Sequence, residues 1–154
     1  MMNVERKVTR DGIKIHGSND YNGMRMSCNL AAKALDMISE HVCPGVTTDE
    51  LDKICHDFII LNNATPATLG YRGYPKSSCI SLNHVVCHGI PSNKKLKNGD
   101  ILNIDITCIL DGWFGDSSRM YIAGKANRKS QRLIQVTHDA LMLGIDQVKP
   151  GNTF

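Results

Sequence analysis

Asp100-Ile101-Leu102-Asn103-Ile104-Asp105-Ile106-Thr107-Cys108-Ile109-Leu110-Asp111-Gly112-Trp113-Phe114-Gly115-Asp116-Ser117-Ser118-Arg119-Met120-Tyr121-Ile122 holds two β-leaning runs joined by Asp-Gly. Asp-Gly is the strongest short hairpin signal, because a type I′ turn needs positive φ at both central residues. With Asp111-Gly112 as the loop, Leu110 pairs with Trp113, Thr107 with Asp116 and Asp105 with Ser118. Side chains two apart on a strand share a face, so Asn103, Asp105 and Thr107 point one way. Ile104, Ile106, Cys108 and Leu110 point the other way, into a core. Asp116 then shares the face of Asp105, as its diagonal cross-strand neighbour at roughly 7–8 Å between backbones. A one-residue bulge near Gly115 would turn Asp116 to the wrong face.

Two carboxylates on one face in mid-sheet repel each other and are costly to desolvate without cations. Divalent metals resolve both problems, with carboxylate oxygens suiting Mn, Mg or Ca and added imidazole shifting preference toward Mn, Fe, Co or Zn. The alternative is that both aspartates simply face water on the open side of a sheet. Upstream, Asn83-His84-Val85-Val86-Cys87-His88-Gly89 puts two histidines four apart. They could act as a metal pair or be satisfied by nearby backbone. His84 belongs to a turn, whereas His88 suits the end of a strand, projecting into a cleft.

The chain on the N-terminal side reads as helical. Residues 1–18 form a polar extension with a candidate edge strand at Ile13-Lys14-Ile15. Asn19 or Asp20 can cap a first helix, whose apolar stripe is Met24, Cys28, Ala31, Leu35, Ile38 and Val42. Cys43-Pro44-Gly45 ends it. Thr47 to Glu50 is a capping box opening a second helix, with Leu51, Ile54, Cys55, Phe58 and Leu61 on its buried face. Beyond Asn63, segments 66–74, 78–82, 85–87, 100–110 and 113–122 lean toward strand. The lysines of loop 91–99 read as a solvated connection. A third helix spans Asn127 to about Gln147, with Leu133, Ile134, Thr137, Leu141 and Ile145 as its inner face.

The 154 residues carry a net charge of +3, 42% hydrophobic and 21% charged residues. These are globular values that suit one domain and give no support to wholesale disorder. A charge this small implies no nucleic-acid partner. No apolar run approaches the ~18–20 residues of a spanning helix. Met1 to Lys7 precede no apolar stretch, so no signal peptide is expected and a cytoplasmic location is. The six cysteines, without CxxC pairs, read as buried free thiols.

Gly70-Tyr71-Arg72-Gly73-Tyr74-Pro75-Lys76-Ser77-Ser78-Cys79-Ile80-Ser81, Asn83 to Pro91, Asn98 to Asp105 and the Asp111-to-Asp116 hairpin together resemble the bacterial type I methionine aminopeptidases. Leu30 to Ile38 and Val42 to Val46 fit as well, and the match runs collinearly from about residue 13 onward. The resemblance implies an α+β architecture, the N-terminal half of the pita-bread fold, with an antiparallel sheet backed by helices. It implies that residues 19–154 are the N-terminal part of a catalytic domain. It further implies a centre of two divalent metal ions (Co, Mn, Fe or Zn) that removes the initiator methionine of nascent chains near the ribosome. A full-length form is expected to be monomeric, with no nucleic-acid or membrane binding.

Carried over by residue, Asp105 would be a bidentate ligand of one metal and Asp116 would bridge both. His88 would be catalytic and substrate-binding, holding the scissile amide. Tyr71, Tyr74, Cys79 and Thr68 would line the methionine pocket, Thr68 standing where bacterial enzymes often carry Cys. The family takes a further His and two Glu ligands from a C-terminal half that this sequence does not contain, so weak or absent activity is expected. A non-catalytic fragment that binds a peptide or protein partner is the competing reading. A proline-specific peptidase of the same fold is a third, less favoured by the GYRGYPKS and HVVCHGIP segments.

Overall fold

The β-hairpin is the spine of the molecule. In a computed structural model that describes residues 8–153, β3 (Ile101–Leu110) and β4 (Trp113–Ile122) pair antiparallel without a break from Leu110–Trp113 to Ile101–Ile122. Asp111 (φ 50°) and Gly112 (φ 80°) form the loop, both left-handed as a type I′ turn requires. The other edge of β3 is shared by two short strands. β2 (Cys79–Leu82) pairs with residues 102–105, and β1 (Thr65–Pro66) with residues 108–109.

Helices α1 (Ser18–Ile38) and α2 (Thr48–Leu61) back this sheet. Leu102, Ile104, Ile106 and Cys108, alternating along β3, are fully buried against Ala31, Ala34, Leu35, Ile38, Leu51, Cys55 and Ile59. α1 crosses β4 at very short range. A Cβ on Gly115 would lie 2.2 Å from the carbonyl oxygen of Ser27, so only glycine fits there. Buried Ser27 donates its hydroxyl to the carbonyls of Trp113 (2.8 Å) and Cys108 (3.2 Å), and Tyr121 Oη donates to Leu35 O at 2.6 Å. α2 starts as its sequence dictates: Thr47 Oγ1 accepts from Glu50 N while Glu50 accepts from Thr47 N.

This contact rotates the buried face of α1 from the expected one. Ser27, Leu30, Ala31, Ala34, Leu35 and Ile38 are buried, whereas Met24 and Cys28 are exposed. Small residues sit where the helix must touch backbone, a demand that a search for apolar periodicity does not see. α1 also begins earlier than Asn19. Gly17 is its N-cap, and Asp20 accepts from Gly17 N as the third helical residue.

Other expectations are corrected as well. Leu61 at the end of α2 is 81% exposed. Ile13-Lys14-Ile15 is not a strand of the sheet, making only an isolated bridge from Lys14 to Val8. Of segment 66–74 only Pro66 is strand; the rest is irregular and includes a 3₁₀ turn at Tyr71–Gly73, because Gly70, Arg72 and Gly73 all take positive φ and cannot continue a ladder. Segment 85–87 is likewise irregular, bracketed by left-handed Asn83 (φ 54°) and His88 (φ 53°). Three cysteines are buried (Cys55, Cys79, Cys108), but Cys28, Cys43 and Cys87 are exposed.

α3 (Arg128–Asp146), capped by Asn127 through Ser130 N, forms where expected but buries no residue. Its expected inner face has nothing to pack on: Leu133, Leu141 and Ile145 are all more than half exposed. Residues 1–7 of the expected N-terminal extension lie outside the described residues. Among the described residues no helix is long and apolar enough to cross a membrane.

Candidate functional site

The face of the sheet turned away from α1 and α2 carries the polar alternation of β3. Cys79, Asp105 and Ser118 are direct partners across three strands, and Thr107 pairs with Asp116 in the adjacent row. The uninterrupted register makes Asp105 and Asp116 diagonal neighbours on one face. Thr107 Oγ1 donates to Asp116 Oδ1 at 3.0 Å, which fixes a carboxylate that lines the cleft.

Asp105 is half-buried, and its pKa is raised above the ordinary carboxylate value. Burial is the largest cause and the facing Asp116 carboxylate the next, while the His88 imidazole pulls in the opposite direction. A carboxyl held away from water beside a second one is an arrangement that a cation would relieve.

Above the pair lies a cleft of about 830 Å³, whose walls come from loops pinned to the sheet. Gly89 lies against β2 so closely that a Cβ would sit 2.2 Å from Ile80 O. Ile80 N donates to Gly89 O and Gly89 N donates to Ser81 Oγ, which fixes the backbone that carries His88. Tyr74 Oη donates to Ser78 O (3.1 Å) and Gly89 O (3.0 Å), tying the opposite wall to the same loop. Burial pushes the Tyr74 phenol and the Cys79 thiol up from their ordinary values, so both stay protonated at neutral pH.

All seven residues singled out from the sequence line this one cleft: Thr68, Tyr71, Tyr74, Cys79, His88, Asp105 and Asp116. His84 does not join them, since it lies in the turn after β2. The Thr68 hydroxyl oxygen is buried and has no hydrogen-bond partner. Phe114, Ile90 and Arg72 also line the cleft and were missed by sequence reading. Phe114 was recoverable, because it is two residues from Asp116 and therefore on its face. Ile90 and Arg72 arrive on irregular loops that carry no periodic signal.

A further missed residue supports the wall from below. Buried Asp52 of α2 accepts at one oxygen from Ser77 N (3.1 Å), Ser78 N (2.8 Å) and Ser78 Oγ (2.7 Å). It fixes the entry to β2, and with it Cys79.

As donors, Asp105 and Asp116 offer hard oxygens that suit a divalent cation. Among the described residues no three or more His, Cys, Asp or Glu side chains are grouped to hold a metal. The pair therefore fits a divalent cation as part of a coordination set and is too small to complete one.

Comparison with known proteins bears on the fold and the family. The chain is 60% identical over 139 residues to the methionine aminopeptidase of Rickettsia prowazekii, covering 90% of this chain and 54% of that protein. The crystal structure of that enzyme superposes with a TM-score of 0.83 at 60% identity, over 84% of this chain and 52% of that one. The methionine aminopeptidase of Thermotoga maritima superposes at 0.85 with 30% identity, over 89% and 55%. The chain thus spans about half the length of these relatives, and it has the fold of the N-terminal part of a pita-bread enzyme. Residues 22–154 match the description of metallopeptidase family M24, which implies use of a divalent metal, and the chain belongs to that family.

Proposed function

We propose that this chain is the N-terminal part, residues 19–154, of a cytoplasmic methionine aminopeptidase that trims the initiator methionine from nascent polypeptides near the ribosome. The single observation that carries the reading is the diagonal pairing of Asp105 and Asp116 on the floor of a cleft walled by Tyr71, Tyr74, Cys79 and Thr68. An aromatic and sulfur-containing wall suits a polarizable thioether side chain.

In this reading Asp105 and Asp116 would hold two divalent ions, Co, Mn, Fe or Zn, jointly with ligands that this sequence does not supply. When bound, such ions lower the pKa of a water and polarise the scissile carbonyl. The chain's own residues do the rest. Thr107 orients the Asp116 carboxylate through its hydrogen bond, and the cleft wall seats the methionine side chain away from water. The His88 imidazole, fixed by the Gly89 contacts, hydrogen-bonds the scissile amide and supports the charge that develops on it.

Two aspartates alone hold two ions in no defined geometry, so the 154-residue chain by itself is expected to be weakly active or inert. The full-length form is taken to act as a monomer without nucleic acid or membrane. The test is to assay the purified chain with Mn or Co on a Met-Ala-Ser peptide and to measure binding of Met-Ala-Ser against Gly-Ala-Ser. Selective retention of the methionine peptide supports the reading. Robust turnover lost on Asp116→Asn would overturn the expected inertness, and equal binding of the two peptides would overturn the methionine pocket.

A further inference from the structure

Arg72 stands apart from everything the carboxylate pair explains. Among the described residues it is the single lysine or arginine lining the cleft. No aspartate or glutamate among the described residues pairs with it, although Lys14, Lys53, Lys76 and Arg119 each pair with an aspartate elsewhere on the surface. Its guanidinium instead lies 5.4 Å from the centre of the Tyr71 ring, on a residue that also lines the cleft. Such stacking holds the planar cation in place while leaving its donors free for an incoming group.

The backbone adds a second, independent observation. Arg72 has φ 48° and ψ 32°, left-handed values that a residue with a Cβ adopts only at a steric cost. Its neighbours in the same turn, Gly70 (φ 82°) and Gly73 (φ 83°), meet that demand as glycines and incur no such cost. A long, charged side chain kept at a position suited to glycine is a local constraint of the kind that marks functional sites. The strained turn aims a cation into a cleft whose floor is acidic and whose walls are largely aromatic and apolar.

We infer that Arg72 is a specificity-determining residue that recognises an acidic side chain of the peptide, downstream of the N-terminal residue seated over Asp105 and Asp116. The inference rests on the peptidase reading, since that reading sets which end of the peptide lies over the aspartates. A bidentate carboxylate contact at an exposed guanidinium is modest, which suits discrimination among substrates better than gross affinity.

The test uses the 154-residue chain in Mn²⁺ at low salt with C-terminally amidated peptides Met-Ala-Xaa-Ala and Met-Ala-Ala-Xaa, in which Xaa is Glu, Gln or Lys. Binding is followed through the amide resonances of residues 71–74 and by calorimetry. At one of the two positions Glu should bind about threefold more tightly than Gln, and Lys more weakly than either. Arg72→Gln should equalise the three peptides, and Arg72→Glu should invert their order. Equal affinities in the unsubstituted chain, or a Glu preference that survives Arg72→Gln, would overturn the inference. The same series headed by Gly separates the two readings. A Glu preference that ignores the first residue removes the methionine pocket and leaves Arg72, whereas methionine selectivity without charge preference does the reverse. Failure of every peptide to bind overturns both.

Discussion

Thr107 and Asp116 face each other directly across the β3–β4 ladder, and the threonine hydroxyl donates to the aspartate at 3.0 Å. That bond holds one carboxylate oxygen of Asp116 beside Thr107, so a neutral residue helps to fix the geometry of the acidic pair. Asp116→Asn is expected to abolish the weak Mn²⁺ binding of this chain, followed by Mn²⁺-induced line broadening at Asp105, and Thr107→Val to weaken it about tenfold. Unchanged affinity in Asp116→Asn would remove the carboxylate pair from any metal role.

The raised pKa of Asp105 gives the metal-free chain a definite pH dependence. A carboxyl whose folded pKa exceeds its unfolded value favours folding while protonated. Its contribution is complete below the unfolded pKa and is lost as pH rises through the folded one. In EDTA, urea midpoints should therefore show Asp105 stabilising the fold on the acid side and opposing it at neutral pH. Asp105→Asn should raise the midpoint at pH 7 and flatten this component. A lower midpoint for Asp105→Asn at pH 7 would contradict the assignment.

Thr68 buries a hydroxyl oxygen without a partner. Leaving such a group unsatisfied costs about 1–3 kcal/mol, and the isosteric Thr68→Val removes the cost without changing volume. The variant should be more stable by about 1 kcal/mol, read as a rise in melting temperature of about 3 °C. A fall in melting temperature would mean that the hydroxyl has a partner in solution.

Gly115 lies where α1 touches β4, with Ser27 O at 2.2 Å from the position a Cβ would take. Backbone cannot retreat as a flexible side chain would, so Gly115→Ala should destabilise the fold by about 3 kcal/mol in urea denaturation. The neighbouring exposed position tests the logic, since Ser117→Ala should change stability by less than about 0.5 kcal/mol.

The six thiols divide by burial. At pH 8 an aromatic disulfide reagent should titrate Cys28, Cys43 and Cys87 at once. Cys55, buried and pushed up to about 12, should react only on unfolding, together with Cys108.

Much of the site was legible from the chain because it rests on local rules. Asp111-Gly112 dictates its own turn, a two-residue loop fixes every pair in the hairpin, and strand alternation puts Asp105, Thr107 and Asp116 on one face. Thr47 and Glu50 likewise cap α2 through contacts three residues apart. What tertiary structure alone decided involves elements far apart in sequence. The closeness of α1 to β4 buries Ser27 in place of Met24 and Cys28, because helix-to-backbone contact selects for small size over hydrophobicity. Left-handed turns, set by contacts such as Gly89 against Ile80, convert two β-leaning segments into the loops that bring His88, Ile90 and Arg72 to the cleft. Periodicity reports which face of a regular element is buried, and it says nothing of where an irregular loop lands.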